Sequence, residues 1–267
     1  MTNNPSTDSH AVVSMTDVSF AYGAVPVLQQ LNFSFSQSTI NFIVGPNGSG
    51  KSTIAGLLGG MLQPNGGEIR LLGRPSGVVS HRDRSHLLAL VPQKLVCPFD
   101  YSVTEFIRMA RYHRTDEISG HRLPTSDSDA LAEAMRLAGV QHLTGRAFHE
   151  LSVGEQQRVA IARMLAQDTP IIVMDEPTSA LDIEHQLSLL NLIRRIREQG
   201  GCVIWITHDL PLVLQHADSV LVLSEGTVAA AGPPHTALDD ATLEAVFHVR
   251  RGVSQQTSFE LTPESRN

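Results

Sequence analysis

The chain has 267 residues, with 20 Lys+Arg against 27 Asp+Glu and a formal net charge of −7. A content of 42% hydrophobic and 18% charged residues excludes a wholly disordered chain. The acidic balance speaks against nucleic acid as a partner, because phosphate backbones are held by clustered Lys and Arg. At roughly 100–200 residues per domain, the length fits one large α/β domain or two smaller ones, with no need of a disulfide or metal staple.

Cys97 and Cys202 form neither a disulfide framework nor a zinc spacing, which fits a reducing compartment. Residues 1–10, MTNNPSTDSH, are polar, lack the apolar stretch of a signal peptide and read as a tail. From Val12 to Val44 the pattern is strand-like: Leu31, Phe33 and Phe35 alternate with Asn32, Ser34 and Ser36, as in a half-exposed antiparallel sheet. The runs Ile40–Val44, Ile171–Met174 and Cys202–Ile206 are continuously apolar, as in buried parallel strands covered on both faces. All are strand-sized, well short of the about 20 residues of a membrane span, so the expectation is a soluble chain with a peripheral membrane role at most.

Between these runs lie helical signals. Residues 104–145 read as a mostly helical insertion, with a turn-rich stretch over Ser119–Ser128. In Glu184–Glu198, Leu189, Leu192, Ile193 and Ile196 share one face, the Arg194–Arg197 cluster reads as a solvated face, and Gly200 and Gly201 end the helix. Val220–Leu223 and Thr227–Ala230 flank a Glu225-Gly226 turn, a hairpin pattern.

The strongest local signal is Gly45, Pro46, Asn47, Gly48, Ser49, Gly50, Lys51 and Ser52, a G-x-x-x-x-G-K-S run after an apolar strand and before the helix-capable Thr53–Leu62. Backbone N–H groups of such a loop surround a polyanion, and the helix dipole adds to the attraction. Lys51 would reach the outer phosphates, and the Ser52 hydroxyl a Mg²⁺ ion. Asp175 and Glu176 end a fully apolar strand. Asp175 suits the metal, and Glu176 is placed to orient or deprotonate an attacking water.

Further residues complete a pattern. Tyr22 lies 29 positions before Lys51, and Gln93 closes Leu90-Val-Pro-Gln93. Leu151-Ser-Val-Gly-Glu155 precedes Gln156-Gln-Arg-Val159, Ser179-Ala-Leu-Asp182 follows the acidic pair, and His208 sits in Ile206-Thr-His-Asp209. Taken one at a time, Tyr22 is equally a core aromatic, Gln93 a loop amide and Ser152 a helix N-cap. His81 with His86, and His113 with His121, lack a metal-ligand spacing.

In order and spacing over about residues 12–235, these motifs resemble the ATP-binding subunits of ABC transporters. The resemblance implies an α/β P-loop NTPase of ABC type. Its mostly parallel core sheet is flanked by helices, an antiparallel β-subdomain precedes it, and a helical subdomain is inserted between Q-loop and signature motif. It implies one ATPase domain over 11–250, a helical subdomain at about 94–158, and a C-terminal tail over 251–267. It implies ATP and Mg²⁺ as ligands. Tyr22 stacks on adenine, residues 45–53 (Thr53 included) cradle the phosphates, and Ser52, Gln93 and Asp175 serve the metal. Glu176, Gln93 and His208 act on the attacking water and γ-phosphate, with Asp182 in the D-loop. Ser152 and the Gly154 N–H would donate to ATP bound by a second copy, paired head to tail.

The same resemblance implies permease subunits in the membrane, an extracytoplasmic substrate-binding protein, and a place on the cytoplasmic face of the inner membrane. Residues 98–103, Met109-Ala-Arg-Tyr-His113 and Leu181-Asp-Ile-Glu-His-Gln186 are similar to the iron-siderophore, haem and cobalamin importer subfamily. An importer of another nutrient and a non-transport ABC ATPase remain as alternatives. Val153 departs from the signature glycine; a β-branched residue there requires β or right-handed backbone, with Arg158 expected to offset Glu155.

Overall fold

The computed structural model describes residues 11–97, 99–114, 125–251 and 259–261. β1 (Ala11–Tyr22) and β2 (Val25–Ser36) form an antiparallel pair, and β3 (Thr39–Val44) opens the second sheet before α1 (Lys51–Leu58). β4 (Gly66–Leu71) and β5 (Arg74–Pro75) return to the first sheet, whose order is β2-β1-β4-β5. After α2 (His81–Leu87) come β6 (Leu88–Val91), α3 (Val103–Arg108), α4 (Thr125–Leu137), α5 (Val153–Gln167) and β7 (Ile171–Asp175). The chain continues through α6 (Ile183–Glu198), β8 (Cys202–Ile206), α7 (Leu210–His216), β9 (Ser219–Ser224) and β10 (Thr227–Gly232). The second sheet runs β10-β9-β3-β8-β7-β6, parallel except for β10.

Both faces of the parallel sheet are covered, which explains the unbroken apolar runs. Ile171, Val173, Ile204 and Ile206 face α1 and the antiparallel sheet; Ile172, Met174, Val203 and Trp205 face α5 and α6. A third core, with Val103, Phe106, Leu143, Phe148 and Val159, holds the helical insertion together. There Arg111 and Asp127, both almost fully buried, pair at 2.6 Å, and Arg111 also donates to the Ala166 carbonyl. Burial without such partners would cost several kcal/mol per charge, on the order seen for isolated buried ions. α5 runs unbroken through 158: Val159 and Ala162 pack into the helical core, Ala160 and Ile161 beneath the sheet.

Glu225 (φ 49°) and Gly226 (φ 76°) turn the β9–β10 hairpin where the sequence placed it. Gly200 (φ 98°) ends α6, with Gly201 N–H donating to Ile196 O.

Other expectations change. Thr125–Ser128 begin α4 rather than extend a turn, while 115–124 lie outside the described residues, as do 1–10 and Pro98. The assigned tail from 251 contains β11 (Val249–Arg251) paired antiparallel with β12 (Phe259–Leu261). Nor is the arginine cluster of α6 simply solvated. Arg197 pairs with Asp218 at 2.7 Å, and Arg194 meets His216 Nδ1 at 3.1 Å.

Candidate active site

The parallel register brings the predicted residues to one edge of the sheet. β3 runs into the 45–52 loop, β7 ends at Asp175 opposite Ile206 of β8, and β6 ends at Val91 opposite Met174. Gln93, Glu176 and His208 therefore leave neighbouring strands at their carboxyl ends, where open parallel sheets bind ligands. Tyr22 pairs with Val25 at the tip of the β1–β2 hairpin and is exposed, its ring edge-on to Phe20 at 4.8 Å. That hairpin touches the loop: a Cβ built on Gly50 (φ 101°) would lie 2.4 Å from Leu28 Cδ2. Only glycine meets both the left-handed backbone and the close approach.

Gly45 is constrained similarly, since a Cβ there would sit 2.3 Å from Leu223 O. Lys51 Nζ donates to the Gly45 and Pro46 carbonyls at 2.8 and 2.9 Å, so the ammonium lies over the loop. Pro46, Asn47, Gly48 and Ser52 are exposed, whereas Thr53 is buried beneath the helix start. The Ser49 hydroxyl is buried and takes no hydrogen bond. A buried orphan polar atom in a glycine-rich loop calls for a polar ligand.

Asp175 is buried, and burial pushes its carboxyl above the usual range. A hydrogen bond with Ser52 pulls it back, neighbouring Glu176 adds to the rise, and Lys51 opposes it. Burial conversely lowers the Lys51 ammonium, against the pull of Glu176 and Asp175. Asp175 Oδ1 has no hydrogen-bond partner. An orphan carboxylate oxygen beside a hydroxyl is a donor set that fits Mg²⁺, a hard cation taking oxygen ligands.

Glu176 holds φ at +50°, a rare conformation for a non-glycine residue. Its N–H donates to Ile206 O at 3.0 Å, and the Ser179 N–H and hydroxyl both donate to its carbonyl. The turn aims the carboxylate at His208, whose Nδ1 lies 2.8 Å from Oε1. A carboxylate only accepts, so the imidazole proton is on Nδ1. Glu176 is 11% exposed and His208 76% at the side chain: the acid is sheltered and the histidine faces out.

The signature residues lie elsewhere, at the start of α5. Ser152 is its N-cap in a capping box: its hydroxyl accepts from Glu155 N–H, and Glu155 Oε2 accepts from Ser152 N–H at 2.8 Å. Val153 takes the first helical position, right-handed as its branching requires. Gly154 follows in the first turn, whose early N–H groups have no intrahelical acceptor. The ion-pair partner of Glu155 is Arg146, at 3.2 Å. The Ser152 hydrogen bonds hold the Glu155 carboxyl down most, with Arg146 and, from farther off, the expected Arg158 adding their charge. Arg158 instead reaches Gly139 O and the ring of His185. Asp182, expected at the nucleotide, caps α6 and accepts from the His185 N–H. Residue type alone did not single out Arg146 or His185.

This arrangement defines a P-loop nucleotide hydrolase whose signature helix start stands apart from the phosphate loop. The sequence profile of the ABC transporter family matches residues 28–179, and the chain belongs to that family as one of its ATPase domains. It is 41% identical to the hemin import ATP-binding protein HmuV of Nocardia farcinica over 83% of this chain and 75% of that one. With the protein of the same name from Thermobifida fusca it shares 36% over 92% and 88%, and with that of Rhizobium meliloti 35% over 94% and 96%. Among solved structures it resembles an inward-facing ABC transporter described as of metal-chelate type, with TM-score 0.77 and 28% identity over 96% of this chain and 99% of that one. A dimeric ATP-binding cassette in a post-hydrolysis state with ADP and Pi aligns with TM-score 0.74 and 25% identity, over 83% and 98%.

Proposed function

We propose that this chain is the ATPase subunit of an importer for an iron chelate, with haem the favoured cargo, and that it works as a head-to-tail homodimer on the cytoplasmic face of the membrane. The observation that carries the catalytic part is the sheltered Glu176 carboxylate, held 2.8 Å from His208 by a strained turn beside Lys51 and Asp175. Lys51, the backbone N–H groups of residues 47–50 and the Ser49 hydroxyl bind phosphate; Tyr22 stacks on the base. Ser52, Asp175 and Gln93 would hold Mg²⁺, which would neutralise phosphate charge. Glu176 accepts the proton of the attacking water, and His208 steadies that carboxylate and faces the phosphate.

Ser152 and Gly154 serve the nucleotide of the other copy. Exposure of Val153 (69%) and Ile183 (75%) around that helix end supports a covering surface there. The haem assignment rests on the three HmuV relatives, and siderophore or cobalamin cargo on the subfamily resemblance alone. Among the described residues no helix is long and apolar enough to cross a membrane. On the importer reading the chain drives permease subunits, with a substrate-binding protein acting through them. Val96 and Phe99 are exposed where a permease helix would dock, whereas Tyr101 packs inward on the helical core.

The chain purified with its permease partners and reconstituted in liposomes should take up haem in an ATP-dependent way. Lys51→Ala should abolish that uptake. Uptake of a free metal ion or amino acid in place of haem would reject the cargo, and association with ribosomes or DNA in place of a polytopic membrane protein would reject transport.

A further inference from the structure

The turn 178–182 and the signature helix α5 belong to different parts of the sequence, yet they are fastened together twice. A Cβ built on Gly154 would lie 2.8 Å from Ala180 O, so the turn rests directly on the first turn of α5. Four residues on, and so on the same helix face, Arg158 Nη1 lies 3.0 Å from His185 Nε2. The other ring nitrogen, Nδ1, lies 2.6 Å from Asp182 Oδ1. A guanidinium only donates and a carboxylate only accepts. The ring therefore donates from Nδ1 to Asp182 and accepts at Nε2 from Arg158, and no other tautomer serves both partners.

The fastening continues to the catalytic strand. Asp182 caps α6, and at the other end of the same turn Ser179 is bonded to the Glu176 carbonyl. One imidazole thus closes a path from the turn of Glu176 to the helix that carries Ser152. Arg136 of α4 and Glu184 line the same cleft, so the ring sits among fixed charges rather than in open solvent.

We propose that His185 is a positioning residue that locks the 178–182 turn to the signature helix through Asp182 and Arg158. Glu176, serving the chain's own nucleotide, and Ser152, serving the partner's, then move as one body. The proposal rests on the shared-site reading above. Its consequence is that loosening the ring costs turnover without costing nucleotide affinity, because none of the three side chains belongs to the phosphate loop.

The experiment compares the wild-type chain with His185→Leu, Arg158→Leu, the double variant and the gentler His185→Gln, reading ATP affinity, kcat and amide hydrogen exchange. Each single Leu variant should lower kcat about tenfold, the scale of one lost charge-assisted hydrogen bond, at unchanged ATP affinity. Exchange should rise together in 176–186 and 152–158. The double variant should lose no more than either single, since both remove the same fastening, and His185→Gln should recover part of the rate. Losses that multiply in the double variant, or exchange that rises near 185 alone, would overturn the proposal, as would an unchanged kcat. Should the wild-type chain fail to hydrolyse ATP, the functional reading would fall instead, and the exchange data would still decide whether the fastening exists.

Discussion

The phosphate-loop edge and the signature-helix end both present the N-terminus of a helix, and they are built in opposite ways. At the loop edge the chain supplies everything itself: four neighbouring strands, glycines squeezed against Leu28 and Leu223, a buried acid and a lysine with opposing shifts. At the signature end a well-capped helix stops at the surface, its Ser152 hydroxyl turned onto Glu155 and Val153 bare. The orphan Ser49 hydroxyl and Asp175 Oδ1 and the left-handed Glu176 stand at the first; the exposed Val153 stands at the second. The difference teaches that exposed apolar surface and buried orphan polar atoms ask for different partners: on the proposed reading, a second protein surface at the helix end and a small polar ligand at the loop edge.

The contrast is broken most forcefully at Glu176. Glu176→Gln keeps the shape and removes the base, so kcat should fall by about 10²–10⁴ with ATP affinity retained. Lys51→Ala should instead lose the affinity itself. Steady-state kinetics beside equilibrium nucleotide binding separate the two, and wild-type turnover in Glu176→Gln would refute the base.

Asp175 sharpens the claim that the loop edge stores unfavourable burial. Its folded carboxyl keeps its proton to higher pH than in the unfolded chain, so at neutral pH its ionised form weakens the fold. Asp175→Asn should raise the Tm of the nucleotide-free protein by about 2–4 °C at neutral pH. The gain should shrink as pH falls toward about 4, where the unfolded aspartate is also protonated. Thermal scans across pH check both sign and window; a Tm drop at pH 7 would contradict the burial account.

The smallest effect is expected at Val153. Its right-handed backbone makes no use of glycine's freedom, and Ser152 and Gly154 keep their places. Val153→Gly should leave ATPase within about threefold of wild type, less the small helical cost of glycine. A large activation would show the native signature to be degenerate.

The loop edge was almost wholly legible in the sequence because its chemistry is local. Glycine spacing, an apolar strand and an acidic pair each declare themselves within a few residues, and buried parallel strands are continuous runs. The signature end was legible only as a motif. Arg146 lies nine residues before Glu155 with no helical period linking them, and Arg158 meets His185 across two elements, so tertiary packing alone makes those pairs. Likewise β11 and β12 are three-residue strands, too short to show alternation. Thr125–Ser128, all polar or turn-forming by type, begin a helix whose hold on the insertion is the buried Arg111–Asp127 pair.

The central claim, that one nucleotide site is completed by two copies, is tested most directly by mixing two dead chains. Lys51→Ala lacks a phosphate loop but keeps its signature helix, and Ser152→Ala has the reverse defect. In a head-to-tail pair of one with the other, one site is intact and the other carries both defects. The account predicts that the mixture regains a substantial fraction of wild-type ATPase, far above either variant alone. Activity no greater than the average of the two separate variants would contradict it.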